Sequence, residues 1–228
     1  MIFTRTNPSP RYRELVELYR TMHTEGEKFL NIGPEKTFPG LSLPPEAHHI
    51  KRLIERTGAL SMLDYGSGKG QQYDARDVRL GNGEVVESIV DYWGIDYVHC
   101  YDPSYAKFSK LPQGRFDGVI CTDVLEHCPE DDLRWIVTEI FSYADRFVYA
   151  NVACYPAMKR LPTGENAHCT VRAPEWWLDL FRGVAAKFPG VMWELSAHVL
   201  VGDGSGRSAE QRFRSSEEAT RSGTAAAR

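Results

Sequence analysis

The chain has no Cys-x-x-Cys pair, no long apolar run and only a small excess of acidic charge. Its five cysteines, Cys100, Cys121, Cys128, Cys154 and Cys169, are odd in number. Two of them fall in apparent core strands, so a reduced, cytoplasmic protein with free thiols is expected rather than a disulfide framework. No apolar stretch approaches the ~18 residues that span a bilayer. The opening residues lack the apolar region of a secretory leader. A net charge of −4 over 228 residues, with 27 basic and 31 acidic side chains, gives no broad electropositive surface for nucleic acid. What remains is 42% hydrophobic, enough for the core of one α/β domain with attached segments.

The most informative stretch is Met62-Leu63-Asp64-Tyr65-Gly66-Ser67-Gly68-Lys69-Gly70. The apolar run over 59–63 predicts a buried strand, and glycines at three alternate positions predict a tight turn that a ligand can approach closely. A strand, a glycine-rich turn and a helix form the usual nucleotide crevice at the carboxyl edge of a parallel sheet. Two common glycine motifs fail on spacing. A P-loop needs Gly at position 63 and Ser or Thr at position 70, where the chain has Leu63 and Gly70. The dinucleotide fingerprint needs Gly at position 71, where the chain has Gln71. Asp64 before the turn would repel a pyrophosphate and suits a ligand with a cationic centre.

Helical periodicity predicts helices over 9–30, 45–57, from Pro129 onward and over 173–187. Strands are predicted over 96–101, 116–123, 146–152 and 191–201. Three regions follow: an N-terminal helical extension and cap loop (1–43), a core domain (44–201) and a tail (202–228). The tail is poor in apolar residues and is expected to be disordered.

Two further groups lie at the carboxyl edge. Asp102-Pro103 ends the second strand, where a carboxylate accepts hydrogen bonds from ribose hydroxyls; alone it reads equally as a turn acid. Thr122-Asp123-Val124-Leu125-Glu126-His127-Cys128-Pro129 links a buried strand to a helix. The short connector between them holds Phe108, Leu111 and Pro112, which form either an apolar wall for a base or a plain connection to the core.

Taken in order, Leu-Asp-Tyr-Gly-Ser-Gly-Lys-Gly, Tyr-Asp-Pro-Ser and Phe-Asp-Gly-Val-Ile-Cys-Thr-Asp-Val-Leu-Glu-His-Cys-Pro resemble the class I S-adenosylmethionine-dependent methyltransferases over residues 44–201. The resemblance implies an α/β, Rossmann-like, mostly parallel sheet with helices on both faces. It is shortened relative to the usual seven-stranded fold, because the third family strand and the final hairpin are not evident. It also implies S-adenosyl-L-methionine as cofactor, bound by Asp64, Tyr65, Gly66, Ser67, Gly68, Lys69, Asp102, Pro103, Leu111 and Asp123.

Asp123, Glu126, His127 and the later His168 resemble a divalent-metal arrangement found in two methyltransferase groups, acting on ubiquinone precursors and on small RNA. Two carboxylates and two imidazoles suit Mg, Mn, Fe or Zn. Glu-His-x-Pro also occurs in such enzymes without metal, where Glu126 caps backbone groups and His127 is structural. A metal-free route would use His127 or His168 as general base near a free pKa of roughly 6.5. The implied catalytic residues are Asp123, His127 and His168. The expected reaction is O-methylation of a small-molecule or glycan-like acceptor. The alternatives are 2′-O-methylation of a terminal RNA nucleotide, disfavoured by the acidic charge, and a SAM-binding module without catalysis. Lys159, Arg160 and Arg172 flank His168 and suit an acidic acceptor. Trp177 and Trp135 are expected to anchor helices.

Overall fold

A computed structural model describes residues 2–202 and 208–215. The helices are α1 (Pro10–Glu25), α2 (Leu43–Thr57), α3 (Gln71–Asp74), α4 (Ile89–Trp93), α5 (Glu130–Tyr143) and α6 (Pro174–Ala185). The strands are β1 (Ser61–Tyr65), β2 (Val78–Arg79), β3 (Val85–Val86), β4 (Tyr97–Tyr101), β5 (Phe116–Thr122), β6 (Ala144–Ala153), β7 (Met192–Leu200) and β8 (Ser208–Arg214). The main sheet has the order β4-β1-β5-β6-β7-β8. Its first five strands are parallel, and β8 runs antiparallel to β7. β2 and β3 form a separate two-stranded hairpin.

Strand alternation sends successive side chains to opposite faces. Leu63, Tyr65, Val119, Cys121, Val148 and Ala150 face α5 and α6, while Met62, Ile120, Phe147 and Tyr149 face α2 and α4. The sheet is thus covered by helices on both sides. Trp177 is fully buried in the α6 face of the core, where a side chain of that size contributes about 3 kcal/mol. Trp135 is half-buried, packed edge-on against Tyr12 at 5.2 Å and carrying Arg5 over its ring at 4.7 Å.

Helix ends follow their local chemistry. Ser9 caps α1 by accepting the Tyr12 N–H (3.0 Å), and Gly26 closes it at φ 85°. Three acids, Glu130, Asp131 and Asp132, fill the first turn of α5, where they favour the positive end of the helix dipole. Asp132 is fully buried and also accepts the Ser9 N–H (3.0 Å), tying the start of α1 to α5.

One expectation is corrected here. Part of the tail expected to be disordered is the strand β8, paired with β7 from Leu200↔Ser208 to Glu194↔Arg214. Its order comes from the backbone ladder and from ion pairs. Arg212 Nη1 lies 2.5 Å from Glu194 Oε1, and Arg214 Nε lies 2.9 Å from Glu194 Oε2. A composition-based argument about burial does not see either source. A hairpin therefore does follow the final helix. The remaining tail positions, 203–207 and 216–228, lie outside the described residues. No helix among the described residues is long and apolar enough to cross a membrane.

Candidate functional site

From β1 the chain crosses to β4 on one side and then returns to β5 on the other. That reversal opens a crevice at the carboxyl ends of β1 and β5. A cavity of about 560 Å³ occupies it, roofed by α1 and the loop over residues 36–42. This size falls in the ordinary range for small-molecule sites, about 300–1,000 Å³.

The floor is the glycine turn. Gly66 has φ 88°, and a Cβ there would lie 2.4 Å from Val124 Cγ2, so only glycine fits beneath the β5 loop. The Gly66 and Ser67 N–H groups both donate to Tyr101 O (2.7 and 3.1 Å), which locks the turn to the end of β4. Asp102 follows. Its Oδ2 accepts the Gly68 N–H (3.1 Å), and its Oδ1 accepts from Ser104 N (2.8 Å), Ser104 Oγ (2.6 Å) and Tyr105 N (3.2 Å). The carboxylate is thereby aimed along the cavity rim.

His23 of α1 covers Asp102, with Nε2 at 3.9 Å from Oδ2. Its ring stacks on Tyr105 (centroids 4.9 Å) and tilts against Phe38 (4.8 Å). Burial pushes its pKa down, partly offset by Asp102. His23 Nδ1 and Ser67 Oγ are buried polar atoms without a protein partner among the described residues, and both residues line the cavity. Buried donors and acceptors favour a polar partner, and the cavity is the space beside these two atoms.

At the end of β5, Asp123 adopts the left-handed conformation (φ 59°), held by its N–H donating to Asn151 Oδ1 (2.7 Å). Asp123, His127 and His168 bring one ligand atom each to within 4.8 Å of one another. The His168 Nδ1 faces the Tyr155 carbonyl at 2.6 Å, so it carries the proton and donates. The His127 Nδ1 lies 3.0 Å from the Ala167 carbonyl and 2.7 Å from Tyr19 Oη, whose own proton goes to Ala167 O (2.8 Å). The surrounding acceptors therefore assign Nδ1–H to both rings and leave both Nε2 lone pairs free. This is the posture of metal-binding histidines, with the second nitrogen fixed by a carbonyl. Burial, opposed by Asp123, pushes His127 down to about 4, so the ring is neutral at neutral pH.

Glu126 stands behind this group. Its Oε1 accepts the Ala153 N–H (2.5 Å), and its Oε2 is buried without a protein partner among the described residues. Burial first, and then the neighbouring Asp123 charge, push its carboxyl well above the usual carboxylate range. The donor set Asp-His-His fits a divalent cation of mixed oxygen and nitrogen preference.

The structure thus brings Tyr65, Gly66, Ser67, Gly68, Asp102, Pro103, Asp123, His127 and His168 to one cavity. Four of the expected site residues lie elsewhere. Asp64 is one position out of phase with Tyr65 in β1 and points to the opposite face. There its Oδ2 accepts from Gln72 Nε2 (3.0 Å) and the Tyr73 hydroxyl (2.8 Å). Burial raises it to about 6. Lys69 turns away to donate to the Pro34 and His23 carbonyls. Leu111 is about half exposed and outside the cavity. Glu126 accepts the Ala153 N–H at Oε1 and is not among the residues whose ligand atoms meet in the Asp-His-His group. Phe108 packs over Gly70 and beside Cys100, as a connector residue does.

The residues that sequence reasoning missed are Tyr19 and His23. Their spacing of four puts them on one face of α1, a weak signal that the helix presents more than an apolar stripe. No protein-family model matches this chain, and no curated protein matches it.

Proposed function

We propose that the chain is a class I S-adenosylmethionine-dependent methyltransferase that methylates an oxygen of a small-molecule acceptor, assisted by a divalent cation. One observation carries the reading. A glycine turn, a rim carboxylate and an Asp-His-His group converge on one cavity of about 560 Å³, each from the carboxyl end of a different strand. Tyr65, Gly66, Ser67, Gly68, Asp102 and Pro103 would hold the cofactor. Asp102 suits its ribose hydroxyls, with His23 and Ser67 supplying polar atoms that otherwise have no partner. The cofactor supplies a methyl group already activated on a sulfonium.

The chain's own contribution is mainly position, holding donor and acceptor in line and excluding water under α1. Asp123, His127 and His168 would hold the cation, which lowers the pKa of a coordinated hydroxyl. The Nδ1 anchors on Tyr155 O, Ala167 O and Tyr19 keep both imidazoles oriented for it.

The test is calorimetric titration with S-adenosylhomocysteine, with and without Mn²⁺, using NADH as control, on wild type and Asp123→Asn. Micromolar or tighter binding of S-adenosylhomocysteine, silence with NADH, and a Mn²⁺ response lost in Asp123→Asn are expected. No heat with S-adenosylhomocysteine under any condition, confirmed by equilibrium dialysis, sinks the reading. A Mn²⁺ response unchanged in Asp123→Asn removes the cation from it.

A further inference from the structure

Away from the cavity, three histidines share one charged cluster on the α2 face of the sheet, and they have opposite fates. His48 and His49 belong to α2, and His198 belongs to β7. Burial, then the positive charges of Arg212 and Arg52, push His48 down. Burial, Arg212, His48 and Arg52 push His49 down to about 3. His198 is pushed up instead, first by its hydrogen bond to Glu46 and against the effect of burial.

The geometry explains the difference. His198 Nε2 lies 3.2 Å from Glu46 Oε1 of α2 and 3.1 Å from Ser196 Oγ. The Ser196 hydroxyl donates to Glu210 Oε1 of β8 (2.5 Å), so it accepts from the His198 ring. Nε2 therefore keeps its hydrogen in the neutral ring, and the titrating proton goes to Nδ1. The register sets His198 opposite Glu210 and Glu194 opposite Arg214, so unlike charges face each other across the two strands. Only 5% of the Glu46 side chain is exposed, so water screens its charge weakly. The same carboxylate accepts the Tyr149 hydroxyl of β6. Arg212 and Arg214 of β8 and Arg52 of α2 all approach Glu194.

Glu46, His198 and Glu210 bring ligand atoms within 4.8 Å of one another, as a metal group would. Arg212 argues for a different role. Its Nη2 donates to Glu210 Oε1 and lies 3.6 Å from Glu46 Oε2, so a fixed cation already serves both carboxylates. His198 adds to it a charge that comes and goes with pH.

We propose that His198 is a pH-sensitive latch on the strand β8, its protonated ring joining Glu46 of α2 directly and Glu210 of β8 through the Ser196 hydroxyl. The folded state binds this proton more tightly than the unfolded chain does. The contribution of the latch is therefore fully present below the unfolded value of about 6.5 and is lost as pH rises through the folded value. β8 is bonded to the sheet along one side only, so the loss of one contact is felt there as local opening. The latch is independent of the proposed reaction.

The test is hydrogen exchange of the full chain at pH 6 and pH 9, with EDTA present and rates corrected for the pH dependence of chemical exchange. In wild type, protection of the β8 amides relative to those of β5 is expected to fall about tenfold, the value of one charge-assisted contact. His198→Gln is expected to hold the same ratio at both pH values, while its β5 protection reports that it is folded. A ring-proton titration by NMR is expected to place wild-type His198 above its ordinary value, and Glu46→Gln is expected to lower it.

A wild-type ratio that does not change with pH overturns the proposal. So does a fall of the same size in His198→Gln, or a wild-type His198 ring that titrates below its ordinary value.

Discussion

The hydroxyl of Tyr19, in the first helix, lies 2.7 Å from Nδ1 of His127, a residue 108 positions later. The same hydroxyl donates to Ala167 O (2.8 Å), next to His168. One side chain of the N-terminal segment thus braces both histidines of the proposed cation site.

Tyr19→Phe keeps the ring and removes only this brace. Loss of a buried hydrogen-bonding hydroxyl should lower stability by about 1–2 kcal/mol. Mn²⁺ affinity should fall about tenfold, since outer partners of metal-binding histidines have effects of that order. Thermal unfolding and Mn²⁺ calorimetry read the two separately. A full stability loss with unchanged Mn²⁺ affinity would reduce Tyr19 to a packing residue.

Asp64 makes stability depend on pH. Its folded pKa, raised by burial to about 6, exceeds the unfolded value of about 3.9. The folded state then holds the proton more tightly, so the contribution is fully present below about pH 4 and is lost as pH rises through 6. Asp64→Asn removes this dependence. The stability difference between wild type and variant should change by about 3 kcal/mol between pH 4 and pH 7, with the wild type gaining relative ground in acid. Urea unfolding across that range measures it, and a flat difference would mean that Asp64 is solvated.

Arg212 of β8 is paired with Glu194 and lies 3.6 Å from Glu46 Oε2, both nearly fully buried acids. Arg212→Leu leaves those charges with less compensation and should cost roughly 3 kcal/mol. Adding Glu194→Leu should restore part of the loss, because the uncompensated charge is then gone. Chemical denaturation of the single and double variants checks this; a double variant as weak as the sum of its parts would place the cost in packing instead.

How much was legible depends on where the signal lies. Strand β5 reads directly, since Phe116 to Thr122 is nearly continuous in apolar residues and ends at Asp123. The cavity floor reads from glycine spacing alone. Asp64 lies off the cavity, and the sequence holds the means to place it there. Leu63 and Tyr65 share one face of β1 with the α5 and α6 side of the core, so Asp64 must share the other with Met62. β8 was hidden because Ser-Ala-Glu-Gln-Arg-Phe-Arg gains its order from a ladder and charge pairs. Tyr19 and His23 were hidden for a different reason. Their partners are remote in sequence, and helical period records a face without recording what the face meets.

The anchoring of the N-terminal segment also constrains synthesis. Arg5 donates to Glu139 (Nε to Oε2, 2.6 Å) and Tyr65, Ser9 to Asp132, and Tyr19 to Ala167. On a ribosome adding roughly 5–20 residues per second, α1 therefore emerges on the order of ten seconds before the surfaces that receive it. Arg11, Arg13, Glu14, Glu17 and Arg20 keep that waiting helix strongly charged, a property suited to an element that stays in water until the cavity beneath it has been built.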